Sequence, residues 1–179
     1  MLFRQGNRLI NSRNWAKLVR PEQIVCDSDP NDTMYGKFTY EPLERGYGVT
    51  IGNALRRVLL SSLQGAAFVA VKISGVQHEF TTIPGVKEDV TEIVLNVKSI
   101  IAKLHSEGVK TVYIEASGEC EVTAGDIKAD GEVEVLNPEL HIATLGPDAS
   151  LNMELTLSHG RGYVSADKNK TAQTVIGVI

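Results

Sequence analysis

The stretch that most constrains this chain is Glu41 to Gly65, EPLERGYGVTIGNALRRVLLSSLQG. It joins a glycine-punctuated entry to a helical pattern with two distinct faces. Ile51, Ala54, Leu55, Val58, Leu59 and Ser62 recur at i, i+3, i+4, i+7 and i+8, which predicts one buried stripe on a helix. Asn53, Arg56, Arg57, Leu60 and Gln64 follow the same spacing on the opposite side. Thr50 is the expected N-cap, since its hydroxyl can accept from a free first-turn amide. Gly65 is the expected residue just past the helix, where a left-handed backbone closes the last turn. Adjacent guanidinium groups beside a large apolar side chain suit a protein interface; a surface helix with solubilising arginines would carry the same residues.

A chain of 179 residues can bury a substantial core. No apolar run approaches the roughly 20 residues needed to span a bilayer. The net charge of −4 is unevenly spread: Arg4, Arg8, Arg13, Lys17 and Arg20 precede the first acid, so the remainder carries 13 basic against 22 acidic residues. An acidic body argues against a protein whose main task is gripping a phosphate backbone. The basic start has the composition of a charged, flexible extension over 1–13, and an organellar transit peptide would share it. Cys26 and Cys120 stand far apart and outside any C-x-x-C, which suggests neither a metal site nor a disulfide framework and fits a reducing cytosol.

In chain order, Trp15, Leu18 and Val19 are the first expected core contacts, Gln23–Cys26 a short strand, and Ser28–Asp32 a loop by its turn chemistry. Gly36–Pro42 reads as a strand with Phe38 and Tyr40 on one face. After the helix, Ala66–Ile73 reads as a mostly buried strand, Ser74-Gly75 as a turn, and Val76–Thr82 as the returning hairpin partner. Pro84-Gly85 then opens a second helix with Val86, Val90, Ile93, Val94 and Val97 at helical spacing and Glu88 and Asp89 in its first turn. Ile100, Ile101 and Leu104 could prolong it, but Ile100, Ala102 and Leu104 also alternate as a strand. Because all that follows reads as β, the helix is ended at about Lys98. A strand follows it, then Lys110–Ala116, Gly131–Leu136 and Ala149–Leu157. The last places Leu151, Met153, Leu155 and Leu157 inward. His159–Tyr163 (HGRGY) reads as a loop, and Thr174–Ile179 as the start of one more strand. The fold class is α+β: a mixed α/β base, residues 14–65 plus 171–179, interrupted by a strand-rich insert at 66–170 containing one helix.

Motifs for chemistry are scarce. Gly46, Gly48 and Gly52 are spaced G-x-G-x-x-x-G without the GK[ST] ending of a phosphate loop. H-E-x-x-H, G-x-S-x-G and Cys/His constellations do not occur. His78 and Glu79 are neighbours on an expected strand and would point to opposite faces. Asp126 and Asp130 read as turn residues. No catalytic residue, metal site or cofactor is expected. A nucleic-acid-binding module using the basic N-terminus, and a small enzyme with a hidden site, are the competing functional classes.

The ungapped string ERGYG followed by TIGNALRRVLLSS resembles the signature segment of the bacterial RNA polymerase alpha-subunit family, in its N-terminal assembly domain. The resemblance runs from about Asn14 to the end of the chain and is strongest at Tyr35–Lys98 and Gly160–Val164. It implies a non-catalytic assembly platform for transcription: two alpha chains pair, the beta subunit joins, then beta-prime, and the active site lies in the large subunits. Carried over by position, Glu44, Arg45, Gly46, Asn53 and Arg57 are implied beta contacts, with a further contact at His78–Gly85 that includes His78 and Glu79. Ile51, Leu55, Val58 and Leu59 are implied to serve the core and the dimer contact. Lys98, Gly160, Arg161, Gly162 and Tyr163 match segments that approach the large subunits. The family continues past this point, completing its base and adding a DNA-binding domain. The chain therefore reads as a truncated form, with apolar surface exposed from Ile51 to Leu63 and no DNA or membrane contact of its own.

Overall fold

The computed structural model describes residues 17–30, 35–170 and 176–179. Trp15, the basic stretch 1–13 and part of the Ser28–Asp32 loop lie outside the described residues. The chain divides into two compact units, 1–59 and 60–179.

In the first unit, β1 (Gln23–Asp27) pairs antiparallel with β2 (Lys37–Glu41), with Ile24 opposite Tyr40 and Cys26 opposite Phe38. Phe38 and Tyr40 share a face, as alternation requires. None of the described side chains from 17 to 59 is buried, so Leu18 and Val19 do not start a core. Helix α1 (Tyr47–Ser61) crosses the boundary between the units. It begins earlier than expected: the backbone turns at Gly46 (φ 89°), and the Tyr47 amide donates to the Glu44 carbonyl at 3.0 Å. Thr50 is thus inside the helix and is not its cap. Gly65 does not close the helix either; the chain passes Ser62 and Leu63 and is already extended at Gln64.

The second unit is built on an antiparallel sheet in the order β3 (Gln64–Ile73), β9 (Ser150–Arg161), β5 (Lys110–Ser117). Its inward rows follow from alternation. Val71, Leu155 and Val112 lie in one row across the three strands, and Ile73, Met153 and Ile114 in the next. All six side chains are buried, each worth about 1.5–3 kcal/mol of transfer free energy. The expected hairpin partner of β3 is therefore wrong. Val76–Thr82 makes no strand beyond a single bridge from Thr82 to Asp89. Val76 is its sole fully buried residue, whereas β9 offers Leu151, Met153, Leu155 and Leu157 in one ladder. The distant strand wins over the local one because it buries more apolar surface per hydrogen bond formed. His159–Arg161 likewise extend β9 and are not loop.

Helix α2 (Val90–Lys98) lays Val90, Ile93 and Val97 into the core. Asp89 caps it, accepting from the Glu92 amide at 2.7 Å. Val86 and Glu88 precede the helix, a correction to the expected first turn; Val86 instead bridges Leu145. The helix ends at Lys98 as the sequence predicts, and β4 (Ala102–Leu104) follows, paired with β7 (Val133–Val135). The pair β6 (Cys120–Thr123) and β8 (His141–Leu145) was not anticipated. Asp126 accepts from the Thr123 amide at 2.8 Å and Asp130 from the Glu132 amide at 3.1 Å, the turn roles expected of them. A short helix α3 (Ala166–Asn169) comes after β9. Of the expected last strand, 171–175 fall outside the described residues; Ile179 exchanges backbone hydrogen bonds with Val71 at 2.9 and 2.8 Å, on the free edge of β3. Among the described residues, no helix is long and apolar enough to cross a membrane.

Candidate protein-protein interface

Helix α1 carries a core-like apolar pattern, yet buries no side chain. Leu55, Val58, Leu59, Leu60 and Leu63 are about half exposed or more, and Ile51 is half-buried. The expected buried stripe is thus not buried, and Leu55, Val58, Leu59, Leu60 and Leu63 carry the exposure expected between Ile51 and Leu63. Asn53 and Arg57, four residues apart, lie on one side of the helix and are exposed. Arg45 and Gly46 form the exposed turn before it. Glu44 is half-buried, and its carboxylate accepts from the Val19 amide at 3.3 Å. A contiguous apolar face beside guanidinium groups suits docking to another protein surface.

The second unit has a groove of about 410 Å³. Its floor is β3 at Phe68–Val71; one wall is the α2 face of Thr91, Leu95 and Lys98, and the rim includes Glu79, Tyr163 and Val164. Glu79, Lys98 and Tyr163, far apart in sequence, are thereby brought to one place. The Thr91 hydroxyl donates to the Glu79 carbonyl at 3.0 Å and holds the 78–80 bend against α2. Tyr163 is 90% exposed and Phe80 80%, large aromatic surfaces with little cover. His78 is exposed outside this groove, so its relation to Glu79 does not rest on strand alternation. Gly160 and Arg161 are paired in β9 with Gly65 and Gln64. Gly162 has φ +69°, and a Cβ there would stand 3.3 Å from Ser61 Cα, so this turn needs a residue without a side chain.

One polar constellation was not foreseen. Glu88 is a buried charged residue, and its carboxylate accepts from the Thr144 amide at 2.6 Å, the Thr144 hydroxyl at 2.9 Å and His141 Nε2 at 3.0 Å. His141 Nδ1 lies 2.8 Å from Glu121. Burial pushes the Glu88 carboxyl up, but the bonds from Thr144 and His141 outweigh it and hold it below its ordinary value. The hydrogen bond to Glu88, helped by Glu121, raises His141 against the opposing effect of burial. Nothing in the sequence spacing signals this set, because its partners are 53 and 20 residues from His141. Among the described residues, no group of three or more His, Cys, Asp or Glu side chains is placed to hold a metal ion.

The strand-rich unit and the exposed amphipathic helix define an α+β protein. A family model described as the RNA polymerase Rpb3/RpoA insert domain matches residues 71–179, and the chain belongs to that family. The whole chain is 60% identical to the DNA-directed RNA polymerase subunit alpha of Nitratidesulfovibrio vulgaris (strain DSM 19637 / Miyazaki F), covering 52% of that protein. It is 59% identical, again over its whole length and 52% of the relative, to the subunit of the same name from Lawsonia intracellularis. Over 163 residues, 91% of the chain, it is 58% identical to that of Alkaliphilus oremlandii, covering 51% of the relative. The chain thus spans about half the length of the curated relatives it matches. The resemblance drawn from the ERGYG helix is the one these comparisons find.

Proposed function

We propose that this chain is a non-catalytic assembly subunit of bacterial DNA-directed RNA polymerase, working in the cytoplasm. In this reading two copies pair and form the platform for the beta and beta-prime subunits. The nucleotidyltransferase active site lies in those large subunits. Residues 14–65 with 171–179 belong to the pairing base and 66–170 to the insert.

The observation that carries the reading is α1. Its apolar residues Ile51, Leu55, Val58 and Leu59 have the spacing of a core stripe, yet Leu55, Val58 and Leu59 are exposed and Ile51 is only half-buried. They serve the contact between copies. Glu44, Arg45, Gly46, Asn53 and Arg57 at the turn and along the helix, with His78 and Glu79 in the insert, serve the beta contact. Lys98, Gly160, Arg161, Gly162 and Tyr163 serve further large-subunit contacts; the shared groove of Glu79, Lys98 and Tyr163 supports treating them as one surface. A nucleic-acid-binding role is disfavoured by the charge, 13 basic against 22 acidic residues after position 20.

The test is co-purification with a bacterial RNA polymerase beta subunit, with light scattering on the product. The expected result is a complex of two copies of this chain per beta, lost on Arg57→Ala with circular dichroism unchanged. Normal beta affinity in the Arg57→Ala variant would remove that residue from the interface. No complex with the unaltered chain would contradict the reading.

A further inference from the structure

His141 stands between two carboxylates, Glu88 at 3.0 Å from Nε2 and Glu121 at 2.8 Å from Nδ1. A neutral imidazole has one N–H and would turn a lone pair toward one of them. The imidazolium donates to both. The three residues come from three places: Glu88 from the segment just before α2, His141 from β8, and Glu121 from β6. The same segment is stitched to β8 and its end by backbone bonds. The Lys87 amide donates to the Thr144 carbonyl at 3.0 Å, and the Gly146 amide to the Gly85 carbonyl at 2.8 Å.

We propose that the imidazolium form of His141, favoured by its two carboxylate partners, latches the segment 85–89, and with it the start of α2, to the β6–β8 pair. Loss of the proton leaves the buried Glu88 with its Thr144 hydrogen bonds but without a cation, and turns a ring lone pair toward a carboxylate. An uncompensated buried charge is strongly destabilising, and the local remedy is for the segment to open.

Other charged residues on the packed elements do not substitute. Asp89 accepts from the Glu92 amide, and Asp126 from the amide of Thr123, the residue opposite His141 in the ladder. Lys87 and Glu92 before and within α2, Glu119 beside β6 and Glu139 near β8 make no hydrogen bond to the ring, which has Glu88 and Glu121 as its carboxylate partners. The rise in the His141 protonation range follows from the same geometry.

The test is nitrogen-detected NMR of the His141 ring in the full chain as pH is raised from about 6 to 10, with amide exchange protection measured in parallel. The expected result is protonation of both ring nitrogens persisting above 6.5, the ordinary histidine value, and a loss of protection by about tenfold or more at Lys87, Thr144 and Gly146 through the titration, with Leu155 in β9 unaffected. His141→Gln should show low protection at these amides at every pH. Should that variant fail to fold, Glu121→Gln keeps the buried pair and should lower the His141 titration midpoint. A ring that titrates at or below the ordinary 6.5, protection indifferent to the titration, or an unmoved midpoint in Glu121→Gln would overturn the proposal.

Discussion

The two units use the same kind of apolar pattern to opposite ends. In 60–179, alternation on β3, β5 and β9 and the helical spacing of Val90, Ile93 and Val97 converge on one core with fully buried side chains. In the described part of 1–59, the hairpin and α1 carry equally regular patterns, and nothing is buried. Periodicity therefore reports which face is apolar, and says nothing about whether the same chain covers it.

Substitutions can sharpen that contrast. The largest effect on folding is expected for Leu155→Ala, which empties a site with 0% exposure in the middle strand. It should cost about 2–5 kcal/mol by urea denaturation. On binding, Arg57→Ala should weaken association with a beta subunit by about 2 kcal/mol or more, measured by titration calorimetry, with circular dichroism unchanged. Gly162→Ala forces a side chain into a left-handed turn against Ser61 and should cost about 1–2 kcal/mol. Asp89→Ala removes the α2 cap and should cost about 1 kcal/mol. Leu59→Ala, at 62% exposure, should change the stability of the isolated chain by less than about 0.5 kcal/mol and yet weaken its self-association in sedimentation experiments.

The pH dependence of the second unit has a definite sign. His141 is raised from 6.5, so its contribution is fully present below that value and is lost as pH rises through the folded value. Glu88 is lowered from 4.5, so its contribution is present above that value and is lost as pH falls through the folded one. Between 4.5 and 6.5 both contributions are in place. Denaturant midpoints should fall on either side of that window, and the slope above it should vanish in His141→Gln.

Much of this was legible in the residues, and the failures share a cause. β9 points Leu151, Met153, Leu155 and Leu157 inward as read, because it is a long strand with strict alternation, and α2 ends at Lys98 where the pattern turns from helical spacing to alternation. The hairpin expected at Val76–Thr82 failed because strand pairing is decided by which partner buries more, and β9 lies some 80 residues on in the chain. The start of α1 was misplaced because Tyr47 and Gly48 look like loop, whereas the turn at Gly46 lets the helix begin at once. The strands β6 and β8 are too short to show a period. Glu79, Lys98 and Tyr163 were each singled out, but their meeting in one groove is a product of topology. The bonds from His141 to Glu88 and Glu121 span 53 and 20 residues and leave no spacing to find.

The central claim is that α1 presents a face awaiting a partner while β9 anchors a self-sufficient unit. Amide hydrogen exchange tests it most directly, on the chain alone at a dilution where light scattering gives single chains, and again with a bacterial RNA polymerase beta subunit added. The account predicts strong protection at Leu151–Leu157 in both states, and weak protection at Leu55–Leu60 that rises on binding. Protection of α1 equal to that of β9 in the single chain, or protection of α1 unmoved by the beta subunit, would contradict it.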